Sequence, residues 1–289
     1  MDFAPEFESG PPSDPRMPTC VNAFDDIVRG GLPVGSVVLL LGESGSGHTE
    51  FAFTSAARLS LVANEEEMRN KYMYEGFGHH IVFPEKTLYI SFSRSQEDVL
   101  RGFRLSFATQ YYEAFKKNLV FKDLSSTFFR RTTVPSSWLE RKPFFSSPQG
   151  NGESLLESLV EMLDQEADSS VVIIDSLTDM FHSSSVDPAE IGYLLKGLQR
   201  ASKKWNSIVY LLLTSGIIDD KYEKLVSDIC DGVLVFGWSR AERGSFIRRY
   251  MYVSKFTGVL PHLDSQRISR FITDVKANHG FVVANTERI

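Results

Sequence analysis

The sequence predicts an α/β domain: a mostly parallel central sheet flanked by helices, with an antiparallel strand extension at its C-terminal end. Three observations carry that prediction. Residues 37–41 are a β-branched and aliphatic run that opens through a glycine-spaced loop, residues 42–47, into a helical pattern near Thr49. Short apolar runs at 87–92, 119–124, 171–174 and 208–214 alternate with segments of helical periodicity, as a parallel sheet with crossover helices requires. From Gly232 onward, strand-like runs at 232–238, 247–256, 268–275 and 281–283 follow one another with only turns between them.

In order, residues 1–18 hold five of the twelve prolines among acidic and small residues, which predicts a flexible tail ahead of one domain spanning 19–289. Phe24, Ile27 and Val28 give a short helical face, and residues 30–36 turn into the first strand. The helix after the loop continues through Phe51, Phe53, Ala56, Ala57 and Leu59; residues 65–71 read as a solvated helix face. His79 and His80 lack a third ligand at metal spacing and read as a surface loop. The second strand, 87–92, ends in Ser93-Arg94-Ser95, and Glu97 leads a helix carrying Val99, Leu100, Phe103, Leu105 and Phe107. Residues 125–151 read as a long loop or small insertion; its Phe128, Phe129, Arg130 and Arg131 suit packing onto the domain better than contact with nucleic acid. An amphipathic helix over 153–166 places Leu155, Leu156, Leu159, Val160 and Leu163 on one side. It feeds the run 171–174, which ends in Asp175-Ser176. A long helix over 189–205, the strand 208–214 ending near Ser215, and a short helix over 222–228 complete the parallel part. The locally basic turn 239–244, with Arg248 and Arg249, reads as a solvated hairpin tip.

Composition sets bounds. A chain of 289 residues with 42% hydrophobic and 24% charged residues buries one sizeable core. A net charge of −6 argues against non-specific binding of nucleic acid. Cys20 and Cys230 are far apart and lack metal-ligand spacing, as in a reducing compartment. No stretch is long and apolar enough to span a membrane, and the acidic, proline-rich start is unlike a signal peptide, so a cytoplasmic location is expected.

The chemistry concentrates in residues 42–49, GESGSGHT. Strand, loop and helix in that order are the setting in which G-x-x-x-x-G-K-[ST] becomes a phosphate-binding loop. Gly42, Glu43, Ser44, Gly45, Ser46 and Gly47 would wrap an anion with backbone N–H groups, and Thr49 would place a hydroxyl on magnesium. The lysine position is His48, shorter and, at a reference pKa of about 6.5, largely neutral at pH 7. A bound polyphosphate would raise that pKa, so any nucleotide affinity is expected to strengthen on acidification. A glycine-rich turn that binds nothing is the alternative. Asp175, a carboxylate at the C-terminal end of a buried strand, suits a Walker B aspartate that orients magnesium through water, or else a helix cap.

Together these segments resemble the KaiC-like branch of the RecA superfamily of P-loop ATPases. FDDIVRGGLPVGSVVLLLGESGSGHT is similar to that family's entry and loop, LYISFSRSQEDVLR to its second strand and helix, VVIIDSLTDM to its Walker B strand, and MYVSKFTGVL with ISRFITDV to its last strands. Within the branch, GESGSGHTEF and LLKGLQRASKKW are most similar to archaeal HTR-like proteins, which implies an archaeal origin. The resemblance implies a RecA-like fold, ATP and magnesium as ligands, and a hexamer or a regulatory protein partner. It places Gly42, Gly47, Thr49 and Asp175 at nucleotide and metal positions, and Lys255 opposite a neighbouring subunit's γ-phosphate. The paired catalytic glutamates are replaced by Ser93 and Arg94, neither a competent base. Losing one transition-state contact of this kind costs about 10³ in rate or more. The expectation is a regulatory or assembly pseudo-ATPase with a degenerate Walker A site, binding ATP weakly or not at all. The alternatives are a slow ATPase using His48, with Glu43 or Glu97 as base, and a DNA-recombination accessory protein.

Overall fold

The computed structural model of the chain describes residues 14–67, 69–70, 81–139, 154–240 and 247–288. Its strands in chain order are β1 (Arg16–Met17), β2 (Leu32–Pro33), β3 (Val37–Gly42), β4 (Lys86–Ser91), β5 (Leu119–Asp123) and β6 (Ser170–Asp175), then β7 (Ile208–Thr214), β8 (Gly232–Arg240), β9 (Ile247–Phe256), β10 (Ile268–Lys276) and β11 (Gly280–Arg288). β1 and β2 form a small antiparallel pair. The other nine form one sheet in the order β11-β10-β9-β8-β3-β7-β6-β4-β5. From β8 to β5 every neighbouring pair is parallel; β8-β9, β9-β10 and β10-β11 are antiparallel. The mostly parallel sheet with an antiparallel C-terminal extension is therefore present as the sequence predicts.

β3 lies between β7 and β8, with both faces covered. Its alternation splits the core: Val38 and Leu40 face the helix α2 (His48–Asn64), whereas Val37 and Leu39 face the helices Leu155–Glu166, Pro188–Trp205 and Asp220–Ile229. On the α2 side, Phe51 makes edge contacts with Phe24, Tyr210 and Phe281 at ring-centroid distances of 6.2, 6.1 and 5.4 Å, and Phe236 meets Phe281 at 5.7 Å. This cluster joins the loop helix to both the parallel sheet and the antiparallel extension.

Several elements differ from the sequence reading. Arg16 and Met17 are not tail: Met17 is fully buried, and the Arg16 guanidinium donates to the carbonyls of Val28, Gly31 and Gly258. The helix Gln96–Ser106 stops short of Phe107 and leaves Leu105 76% exposed; a separate helix, Thr109–Asn118, follows, with Phe115 stacked 3.8 Å from Phe103. Val160 turns out of the core while Leu155, Leu159 and Leu163 stay in it. In the expected loop 125–151, Ser125–Phe128 and Phe129–Arg131 are short helices, and Phe128 packs near Phe92. The remainder of that segment from residue 140, residues 71–80 with the His79-His80 pair, and most of the basic turn lie outside the described residues.

Phe51→Ala is expected to lower stability by about 3–5 kcal/mol, the usual cost of emptying a buried aromatic site. Chemical denaturation measures it. A loss below about 1 kcal/mol would show that Phe51 does not hold the two halves of the sheet together.

Candidate functional site

The C-terminal ends of β3, β7, β6 and β4 lie along one edge of the parallel sheet and bring together residues 42–49, Ser215, Asp175 and Arg94. The loop leaves β3 at Gly42, whose carbonyl accepts from Ser215 N at 2.9 Å. Glu43 N donates to Phe236 O, and Ser46 N closes a turn on Glu43 O at 3.0 Å. Gly45 and Gly47 adopt φ of +71° and +109°, which glycine alone takes without strain. Gly47 is the N-cap of α2 and offers no side chain to cap that first turn, which carries one acidic residue, Glu50.

The rear of the loop is held by the β8–β9 hairpin. Trp238 Nε1 donates to Ser44 O at 3.2 Å and Arg249 Nε to Gly45 O at 2.9 Å, with the guanidinium 4.4 Å from the indole centre. Trp238 and Arg249 are direct cross-strand partners. Arg249 is therefore not a solvated hairpin residue. No local sequence signal marks the contact, because it joins residues 204 positions apart.

His48 does not extend along the loop as a lysine would. Its ring lies over the backbone of Gly42: a Cβ placed there would sit 2.3 Å from His48 Nδ1 and 2.8 Å from Ser46 Oγ. Only 8% of His48 is exposed, and its ring is 6.4 Å from that of Phe236. Burial pushes its pKa down to about 4, so the imidazole is neutral at pH 7 and a bound polyphosphate would have to raise it from there. His48 Nδ1 and Ser46 Oγ are both buried without a hydrogen-bond partner. Thr49 is half-buried, and Glu43, Ser44 and Gly45 are exposed.

Asp175 is held by its own chain. Its Oδ2 accepts from Tyr89 OH and lies 3.4 Å from Arg94 Nη1. Burial raises the Asp175 pKa, opposed by the Tyr89 hydrogen bond and the Arg94 charge. Burial, then Asp175, raises the phenol of Tyr89 well above its ordinary value, so Tyr89 stays a donor. Ser93 Oγ donates to Asp179 at 3.0 Å. Thus Ser93 and Arg94, at the expected glutamate positions, engage the two nearby carboxylates instead of adding one. Sequence reasoning missed Tyr89, which looked like an ordinary strand residue. The alternative bases Glu43 and Glu97 are exposed.

Lys255 lies elsewhere. It pairs with Val233 near the N-terminal ends of the parallel strands, opposite the loop, and its ammonium group donates to the carbonyls of Ser227 and Asp228. There it lines a cleft of about 660 Å³ together with Lys196, Lys203 and Asp231. Within one chain it shares no site with residues 42–49. Among the described residues, no group of three or more His, Cys, Asp or Glu is placed to hold a metal ion. No described helix is long and apolar enough to cross a membrane.

The family model described as "ATPase: KaiC" matches residues 17–274. Curated relatives include the circadian clock oscillator protein KaiC of Parasynechococcus marenigrum, 28% identical over 121 residues, or 42% of this chain and 20% of that protein. KaiC 1 of Synechocystis is 31% identical over 87 residues, covering 30% of this chain and 13% of its own length. The matches thus span a fifth or less of these relatives. Among solved structures, a KaiC-like protein of Pyrococcus horikoshii aligns with a TM-score of 0.59 at 17% identity, covering 95% of this chain and 99% of that one. The flagellar accessory protein FlaH of Methanocaldococcus jannaschii aligns with a TM-score of 0.62 at 12% identity, covering 92% and 96%. With the family model matching nearly the whole chain and the fold shared end to end, the chain belongs to the KaiC family of ATPase domains.

Proposed function

We propose that this chain is a KaiC-like pseudo-ATPase, a regulatory or assembly protein whose site holds nucleotide weakly and does not turn it over efficiently. ATPase domains of this family imply nucleotide and magnesium in general. Phosphate fits what is present: a loop with two left-handed glycines, a helix start without a side-chain cap, and a buried Ser46 hydroxyl without a partner. Magnesium does not fit the arrangement. The carboxylate that would orient it is already bonded to a phenol and a guanidinium.

The single observation that carries the reading is the Arg94–Asp175 pair at 3.4 Å. At the position where the family resemblance expects a carboxylate to polarise water, a permanently protonated side chain neutralises the neighbouring aspartate. The neutral, inward His48 adds to this, because it brings no charge to the γ-phosphate in the lysine's place. As an assembly protein, the chain would work with further copies or a protein partner, and a ring would set the loop of one copy against the Lys255 end of the next.

Two outcomes follow. Purified chain with ATP and magnesium should show no steady turnover, and His48→Lys alone should not restore it, since the base is still lacking and Asp175 is still paired. Magnesium-dependent turnover by the wild type that Asp175→Asn abolishes would overturn the reading. The second concerns pH. With a folded-state pKa of about 4 against an ordinary 6.5, the native state favours neutral His48. Its contribution is complete above about pH 6.5 and is lost as pH falls through that value toward 4, by roughly 3 kcal/mol at most. The stability difference between wild type and His48→Gln, from urea titrations, should shrink over that range. Asp25, whose carboxyl burial pushes up to about 7, is expected to titrate alike in both proteins and to cancel. Nucleotide affinity between pH 8 and 6 is expected to be flat; a rise on acidification would place a charged His48 on the phosphates.

A further inference from the structure

Arg94 is held at its backbone and at its guanidinium. Its backbone N–H donates to Ser91 Oγ at 2.9 Å, at the end of β4. Its Nη1 lies 3.4 Å from Asp175 Oδ2, and its Cζ lies 6.0 Å from the centre of the Phe53 ring. A Cβ on Gly102 would come to 3.6 Å from Nη2, an ordinary van der Waals contact, so that end of the guanidinium lies beside the helix Gln96–Ser106. Phe53 is one helical turn beyond Thr49 on α2, so the two share a face of that helix. The guanidinium therefore lies against both Asp175 and Phe53, the latter on the face of α2 that Thr49 shares. Only 37% of the Arg94 side chain and 15% of Asp175 is exposed, so the pair is shielded more than a surface ion pair is.

A divalent ion taking Asp175 Oδ2 would have to break that pair and displace a guanidinium that cannot lose its charge. An arriving polyphosphate instead meets a cation already in place, with N–H groups of the guanidinium still available beyond the one facing Asp175. We propose that Arg94 takes the electrostatic place of the divalent metal, so that the loop binds polyphosphate anions, nucleoside triphosphates included, without magnesium. The inference rests on the reading that residues 42–49 still cradle phosphate, and it concerns binding alone, with no bond made or broken.

The consequence is opposite in sign to that of a magnesium site. Where Asp175 orients a metal, Asp175→Asn weakens nucleotide binding. Where Asp175 holds back a guanidinium, the same change frees Arg94, and metal-free affinity stays level or tightens, by up to about tenfold for a contact of ~1.4 kcal/mol. The experiment is calorimetric titration of the full chain with ATP, and with tripolyphosphate as a second probe, in EDTA and in magnesium. It is run on the wild type, Asp175→Asn, Arg94→Gln and Arg94→Lys, with circular dichroism confirming that each variant is folded. The expected result is wild-type affinity equal within about twofold in the two buffers, unweakened by Asp175→Asn, reduced roughly tenfold in EDTA by Arg94→Gln, and partly kept by Arg94→Lys. Magnesium should strengthen binding only in Arg94→Gln, where Asp175 is open. Binding that vanishes in EDTA, or that Asp175→Asn weakens, overturns the inference while leaving the pseudo-ATPase reading intact. Silence from both probes in both buffers overturns the inference together with the retained phosphate loop. Brisk turnover in magnesium overturns the pseudo-ATPase reading.

Discussion

The structure depends on the position of β3, a strand with no exposed face. With β7 on one side and β8 on the other, it delivers Gly42 to the edge of the sheet where Ser215 N and Phe236 O anchor the start of the loop. Nothing in the loop itself supplies that anchoring. The aromatic cluster around Phe51 then fixes α2, and so fixes where the helix start points, by packing it simultaneously on Tyr210 of the parallel sheet and Phe281 of the extension. The antiparallel strands are thus part of the site's foundation: the β8–β9 hairpin reaches over and binds two loop carbonyls through Trp238 and Arg249.

Charge follows from that packing. Residue 48 begins a helix whose first turn is pressed toward Gly42 and Phe236, so an imidazole there is taken out of water and kept neutral. A lysine is long enough to carry its ammonium out of such a pocket along an anion; a histidine is not. On the other side of β7, Arg94 and Tyr89 both engage Oδ2 of the Asp175 carboxylate from within the chain. The loop thus keeps its left-handed glycines and a helix start without a side-chain cap, while Asp175 is paired within the chain and His48 Nδ1 and Ser46 Oγ are left without partners.

Much of this was legible in the residues. Apolar runs of strand length, the βα order and the change of style after Gly232 gave the architecture, because burial on both faces and burial on one face leave different patterns. Val171 to Asp175 marked the buried strand and its terminal carboxylate for the same reason. What could not be read were contacts between distant positions. Arg16 is buried among three carbonyls, one of them 242 residues away, and looked like part of a tail. The helix Thr109–Asn118 carries few apolar residues, and Phe115 is its only buried side chain, so its periodicity was too sparse to see. The outer half of β11 is paired with β10 but not covered, so its length is set by hydrogen bonds that leave no hydrophobic pattern. Tyr89 and Arg249 reach the site across strands, where local spacing carries no information.

The glycine signature itself has a reading separate from phosphate. A side chain at Gly42 would collide with His48 and Ser46, and one at Gly47 would press to 3.1 Å on the Phe281 ring, in a backbone conformation that L residues avoid. Both glycines are thus required by the packing of the loop against α2 and β11, whether or not an anion is held. A glycine-spaced loop of this kind can keep its shape whatever charges stand around it, because the demands on backbone and on side chain come from different neighbours. That separation is why the loop pattern is strong evidence for the fold and weak evidence for turnover. Activity has to be read from the side chains at 48, 93, 94 and 175: Arg94 pairs with Asp175, Ser93 donates to Asp179, and His48 Nδ1 is buried without a partner.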